Sequence, residues 1–190
     1  DRLDLFHMAY YPVPNIDVPL VLTVNDLRFV HMPDTYSPAR LWFLRATVGS
    51  SIKRANRIIA ISGDTRNDLV RHFNVAPELI DVVHIPADPA FCRVTDPHRL
   101  ESVRRRHRLP DKYVLYVGHL EPRKNLVRLV QAFAALHAEN AIDHDLVILG
   151  NPSLRFQAIL DSAKAVSCAN RIVFAGGVED VDLPAVYSMA

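Results

Sequence analysis

The chain has 190 residues, 49% hydrophobic and 23% charged, the balance of a folded globular protein rather than a disordered one. Its 22 Lys and Arg against 21 Asp and Glu leave a formal charge of +1, which argues against a nucleic-acid binder. No apolar run reaches the roughly 20 residues of a membrane span, no signal peptide is recognisable, and Cys92 and Cys168 lie too far apart for a metal or redox motif, so a reduced cytosolic protein is expected.

In chain order, the apolar run "PLVLTVND" (residues 19–26) ends in polar residues, which predicts a buried strand followed by a loop. Proline-rich punctuation precedes a helix over about residues 38–55, where Leu41, Leu44, Val48 and Ile52 recur at helical spacing. "RIIAI" (57–61) is the next strand, and Ser62 is placed to cap the helix "GDTRNDLVRHF". "IDVVHIP" (80–86) is a third strand ended by proline. Three strands separated by helices predict one parallel α/β unit.

Residues 88–110 interrupt that order with a proline-rich stretch and the basic run "RLESVRRRHR". Arg99, Arg104, Arg105, Arg106 and Arg108, opposed by Glu101, read either as a solvated linker face or as a contact for anionic lipid head groups. The α/β order then restarts with strand "KYVLYVG", helix "NLVRLVQAFAALHAEN", strand "HDLVILG", helix "SLRFQAILDSAKAV", strand "RIVFAGG" and the start of a last helix. That last helix meets no closing Gly or Lys, so the chain reads as a piece of a longer protein. The expected organisation is a unit at residues 1–92, a linker at 93–110 and a second unit at 111–190.

The turn "GHLEPRKN" carries the clearest chemical signal. Arg123 and Lys124 stand side by side, with Pro122 before them and no acidic residue directly after. In open parallel sheets ligands bind beyond the carboxyl ends of the strands, and this turn lies at such an end. Gly118 lacks the Cβ that would block a close approach, and the next helix points free N–H groups the same way. An arginine fork and a lysine point charge together suit a diphosphate. The other reading is a pair of solvated turn charges. There is no Walker loop and no GxGxxG before a helix, so ATPase and dehydrogenase readings are weak.

Across "TVNDL", "RANRIIAISGDTRNDLVRHFNV", "IDVVHIPADPAF", "YVLYVGHLEPRKNLVRLVQAF" and "VFAGGVEDVDLPAVYS", the chain resembles the family 4 glycosyltransferases. These are retaining enzymes of GT-B fold that take a sugar from a nucleotide-sugar donor. The resemblance implies an α/β protein with two Rossmann-like parallel-sheet domains facing a cleft, both incomplete. Residues 1–92 would be the latter part of the acceptor domain and 111–190 the first part of the donor domain. Arg123 and Lys124 match the pair that grips the donor diphosphate, and Gly118 and Gly150 match glycines lining the donor cleft. His119 lies beside Gly118 as a further cleft residue, and Val178 and Leu183 fall near the nucleotide base. Asn25 stands where many relatives carry the histidine of "T-x-H-D-L"; an amide can position a sugar but cannot carry a proton at neutral pH. The family's glycine-containing first loop and its paired-glutamate motif are expected outside these residues.

The resemblance implies retaining transfer from GDP-mannose, with a UDP-sugar as the alternative, to a glycan or lipid-linked acceptor in polysaccharide or glycoconjugate synthesis. It implies no metal and no other cofactor. The expected location is the cytoplasm, at the inner face of the membrane. Two alternatives stay open: a truncated non-catalytic remnant or nucleotide-binding scaffold, and a sugar-nucleotide epimerase, which the motifs fit less well. Asp26 reads as a cap at the end of its strand. His7 and His31 are expected as loop or core histidines, with no metal-spaced cluster around His31. Tyr10, Tyr11, Trp42 and Phe43 read as core or docking surface.

Overall fold

Two parallel sheets organise the chain, one in each of the two units into which it divides, Asp1–Pro86 and Ala87–Ala190. The computed structural model describes residues 3–152 and 156–190. In the first unit, strands β1 (Phe6–Met8), β2 (Leu20–Val24), β3 (Arg57–Ala60) and β4 (Ile80–Val82) lie side by side in that order, all parallel. Leu20, Leu22 and Val24 are buried, and Val21 and Thr23 are half-covered on the other face. The short helix α1 (Arg28–His31) follows β2, and the long helix α2 (Pro38–Arg54) crosses back to β3. Ser37 caps α2, its hydroxyl accepting from the Arg40 N–H at 3.4 Å, and Pro38 occupies the first helical position, where its missing N–H costs nothing. The buried stripe of α2 is Leu44, Val48 and Ile52, as the spacing predicts, with Leu41 packed against its edge. Helix α3 (Gly63–Phe73) returns to β4. It begins on Ser62, whose hydroxyl accepts from the Thr65 N–H at 3.1 Å, and ends on Asn74 in the left-handed conformation. Val48 and Leu69 are fully buried, each stabilising by about 1.5–3 kcal/mol over exposure.

In the second unit the strands β5 (Tyr113–Val117), β6 (Asp145–Leu149) and β7 (Ile172–Gly176) form a parallel sheet with β6 in the middle. The central strand shows why the fold is layered. Leu146 and Ile148 face one cluster, with Val130 and Phe133 of α5 (Leu126–Ala138) and Ile159 of α6 (Gln157–Ala165). Val147 and Leu149 face another, with Val103 of α4 (Pro97–His107) and Ala185 and Val186 of α7 (Leu183–Met189). Four consecutive buried apolar residues on β6 are what a parallel strand covered on both faces requires. The Tyr113 hydroxyl, at the start of β5, donates to the Val186 carbonyl at 2.7 Å, and burial pushes this phenol up to about 12.

Three expectations change. The first unit has a fourth strand, β1, too short and too polar at His7 to show a period; it is held by its pairing, Phe6 opposite Leu20 and Met8 opposite Leu22. The third predicted strand, residues 80–86, stops at Val82; the Val83 N–H makes one further bond to the Ala60 carbonyl at 2.9 Å, and Val83 and Ile85 face solvent. Residues 93–110 are no irregular linker, and the unit boundary falls at Pro86 rather than at residue 92. Asp96 caps α4 by accepting from the His98 N–H at 3.0 Å, and Arg108, left-handed, ends it. Val103 and Leu109 then belong to the core of the second unit. The first three residues of the expected helix over residues 153–166 lie outside the described residues.

The basic cluster is also engaged within its own unit. Arg99 donates to the Val181 carbonyl at 2.9 Å, Arg104 to Asp111 at 2.8 Å and Arg105 to Glu101 at 2.5 Å. The Asp182 carboxylate, 5% exposed, accepts from both Arg106 and His107 at 2.8 Å. The hydrogen bond from His107 chiefly holds the Asp182 carboxyl below the usual carboxylate range, against the opposing effect of burial; Arg106 adds to the lowering. A group whose folded pKa is depressed contributes stability above its unfolded value and loses it as pH falls through the folded one. Asp182→Ala should therefore destabilise the chain at pH 7, by about 1.5–3 kcal/mol if it behaves as a lost charged hydrogen bond. In urea titrations the gap to wild type should narrow as pH falls below about 4, the unfolded carboxylate value. A gap independent of pH would remove the carboxylate's charge from the account.

Candidate functional site

The carboxyl ends of β5, β6 and β7 finish on a rim of glycine backbone. Gly118 follows β5, Gly150 follows β6 and Gly176 closes β7. The Gly118 N–H donates to the Leu149 carbonyl at 3.0 Å, and the Gly150 N–H donates to the Gly176 carbonyl at 2.8 Å. A Cβ at Gly150 would stand 1.8 Å from the Gly118 carbonyl oxygen, where no atom fits. Gly176 adopts φ 74°, a left-handed conformation that disfavours a side chain, although a Cβ there would meet open space. The rim is thus free of side chains for two different reasons, one steric and one conformational.

Beyond Gly118 the chain turns sharply. The Tyr116 hydroxyl donates to the His119 carbonyl at 3.1 Å, and the buried Leu120 donates its N–H to the Asn151 carbonyl at 3.1 Å, tying the turn to the segment after β6. Residues Pro122–Lys124 form one turn of 3-10 helix, ended by Asn125 at φ 57°, and α5 starts immediately after. Arg123 and Lys124 therefore project from a separate turn that precedes α5, both exposed. Arg123 is paired with Glu121, the residue before Pro122. No acidic residue directly follows the pair, and the acid that engages it lies before it. Lys124 has no ion-pair partner among the described residues.

The structure gathers Gly118, His119, Arg123, Lys124 and Gly150 at one end of the second sheet. His119 is exposed there. Val178 lies two residues past β7, half-buried against the cluster shared by α4 and α7, and Leu183 is the first residue of α7. Asn25 belongs to the other unit, at the carboxyl end of β2, where its backbone carbonyl accepts from the Thr65 hydroxyl at 3.2 Å and its side chain is exposed. Asp26 makes an Asx-type turn just before α1, its carboxylate accepting from the Arg28 N–H at 3.0 Å, while Leu27 holds the N-cap position.

Two features escaped sequence reasoning. Tyr11 has a buried hydroxyl with no hydrogen-bond partner among the described residues, and burial, with the Asp26 charge adding to it, pushes its pKa well above the usual tyrosine value. His31 is not a stray imidazole: it meets Asp68 and His72, which lie one helical turn apart on α3. The i,i+4 spacing of that second pair was visible in the sequence, but nothing local tied it to His31.

Comparisons with known proteins match both units. Residues 1–91 match the family model described as Glycosyltransferase Family 4, and residues 100–190 match Glycosyl transferases group 1. The chain is 24% identical to an Escherichia coli O-antigen chain mannosyltransferase B, over 98% of its own length and 49% of that protein. It is 29% identical to a D-inositol 3-phosphate glycosyltransferase of Salinispora tropica, over 98% of its length and 43% of the relative. The chain thus spans about half the length of the curated relatives it matches. Among solved structures, Anabaena HepE in complex with UDP-glucose shares its fold at TM-score 0.65 and 21% identity, covering 89% of this chain and 44% of that one.

The glycine rim makes a contrast that can be measured. Gly150→Ala should cost several kcal/mol in urea denaturation, because its methyl collides with backbone that cannot rotate away. Gly176→Ala should cost only about 1–2 kcal/mol, the strain of a left-handed residue with room around it. Equal costs at the two positions would mean that the rim is not sterically closed.

Proposed function

The chain belongs to the family 4 glycosyltransferases, carrying in its two units part of the GT-B fold, and on that premise we propose that it forms the central part of a retaining enzyme that transfers a sugar from a nucleotide-diphosphate donor. The observation that carries this reading is the bare glycine rim beside Arg123 and Lys124. A diphosphate can approach backbone closely only where side chains are missing, and two cations at the same strand end supply the countercharge. Lys124 offers a free ammonium, whereas Arg123 must exchange its Glu121 partner for a phosphate oxygen. As the sugar leaves, negative charge grows on the departing diphosphate, and cations already in place stabilise that state without moving. These groups do the electrostatic work without a metal at the diphosphate. Val178 and Leu183, past the third glycine, are assigned to the nucleotide base, and His119 to the cleft wall.

A GDP-mannose donor is favoured by the likeness to a mannosyltransferase; a UDP-sugar is the alternative, supported by the fold shared with a structure that holds UDP-glucose. The acceptor in this reading is a glycan or a lipid-linked glycan, and the reaction is cytoplasmic. Among the described residues no helix is long and apolar enough to cross a membrane. Peripheral membrane contact draws little support from the arginines of α4, four of whose five cluster members have partners inside the unit. Asn25 supports a second reading, nucleotide binding without turnover, because an amide cannot supply the charge of a protonated histidine.

Calorimetry with nucleoside diphosphate tests the first reading. Lys124→Ala should weaken binding roughly ten- to a hundredfold, the equivalent of a charged hydrogen bond. Arg123→Ala should weaken it less, since part of its interaction is offset by the loss of Glu121. Affinity for the uncharged nucleoside should hardly change. Unaltered diphosphate affinity in the double variant would leave those cations as a solvated turn. In the whole protein, Asn25→His should alter turnover only modestly; a gain of several orders of magnitude would favour binding without turnover as the natural state.

A further inference from the structure

We propose that His31, Asp68 and His72 form a binding site for a divalent transition-metal ion of the Zn2+ class. Their ligand atoms all lie within 4.8 Å of one another. His31 Nε2 is 2.6 Å from Asp68 Oδ2, and His72 Nε2 is 3.9 Å from Asp68 Oδ1. The first contact is a hydrogen bond; the second is too long for one. A tetrahedral ion with ligands at about 2.0–2.2 Å sets its donors about 3.3 Å apart, between these two separations. The two imidazoles meet edge to face, centroids 5.4 Å apart, and each has a ring nitrogen within 4.8 Å of the other's and of an Asp68 oxygen.

Two neutral imidazoles and one carboxylate suit Zn2+ and its first-row neighbours, and suit Mg2+ or Ca2+ poorly, since those prefer oxygen alone. Three protein ligands leave a fourth position for water. The scaffold is firm on both sides. Asp68 and His72 share a face of α3, whose start is capped by Ser62. His31 closes α1, which is held by the Asx-type turn of Asp26 onto the Arg28 N–H, by the buried Phe29 against Phe73 at 6.5 Å, and by Arg28 bonded to the Tyr36 hydroxyl at 2.8 Å. Asp68 is the most enclosed of the three side chains at 19% exposure, while His31 and His72 remain open to an arriving ion at 49% and 32%. An ion here would staple the loop after β2 to α3.

The test titrates the full chain, stripped with chelator, with ZnCl2 by calorimetry, using MgCl2 as the control for simple charge attraction. One Zn2+ per chain, no saturable Mg2+ uptake and a melting temperature that rises with Zn2+ are expected. His72→Ala should weaken Zn2+ binding at least about tenfold, since even an outer-shell partner is worth 10–100-fold. That variant keeps the His31–Asp68 bond and removes a half-covered side chain, so its fold should persist by circular dichroism. His98→Ala, on the exposed start of α4, should bind Zn2+ as the unaltered chain does. Co2+ added to the unaltered chain should show the visible bands of a four-coordinate site, a readout independent of any variant. Absence of saturable Zn2+ binding, equal affinity in His72→Ala, loss of affinity in His98→Ala, or no such Co2+ bands would overturn the proposal.

Discussion

The second unit is organised around one close approach, the backbone of Gly150 lying where any side chain would strike the carbonyl of Gly118. This contact closes the ends of β5 and β6 on each other, and it explains why the turn after β5 stands where it does. The Leu120 N–H reaches the Asn151 carbonyl only because both chains leave the sheet at the same height. Arg123 and Lys124 follow from that anchor, two and three residues past Glu121, on a 3-10 turn too short to wander. A catalytic role for the pair would rest on the rim at least as much as on the charges, since a cation set back from its phosphate by a side chain loses the short contact that makes it strong.

The basic cluster on α4 is engaged within its own unit. The run of arginines on α4 looks, in sequence, like a surface for anions. In the fold Arg104 secures the turn after its own helix, and Arg106 and His107 converge on Asp182 at the start of α7. This couples the two helices that cover one face of the second sheet. Arg123 is likewise held by Glu121. Lys124 is the exception among the site cations, having no ion-pair partner among the described residues, and an ammonium so placed beside bare backbone is a better sign of a ligand than any count of basic residues.

The two units pose different problems for a reader of the sequence. In the second, the apolar run of β6 is buried on both faces by helices before and after, so its pattern and theirs agree with one another. In the first, β1 has three residues and survives by pairing with β2, a relation no window of sequence contains. The His31, Asp68 and His72 group is of the same kind, its first and second members standing 37 positions apart in the chain.

By itself the sequence determined the α/β class, two successive parallel units, the buried stripe of α2, the cap at Ser62, and the strand-end turn with its two cations. These follow from local rules: apolar period, capping chemistry and the conformational freedom of glycine all act within a few residues. The family resemblance was legible for the same reason, because its motifs are short and continuous. Only the tertiary structure decided that residues 97–107 are a helix of the second unit, that Glu121 engages Arg123, that Gly150 is excluded from bearing a side chain, and that His31 has partners. Apart from the Glu121–Arg123 pair, which the geometry of the 3-10 turn sets, these depend on atoms brought together by packing. Local propensity is silent about which solvent-facing groups will meet, since their free energy in the unfolded chain is the same whichever partner the fold supplies.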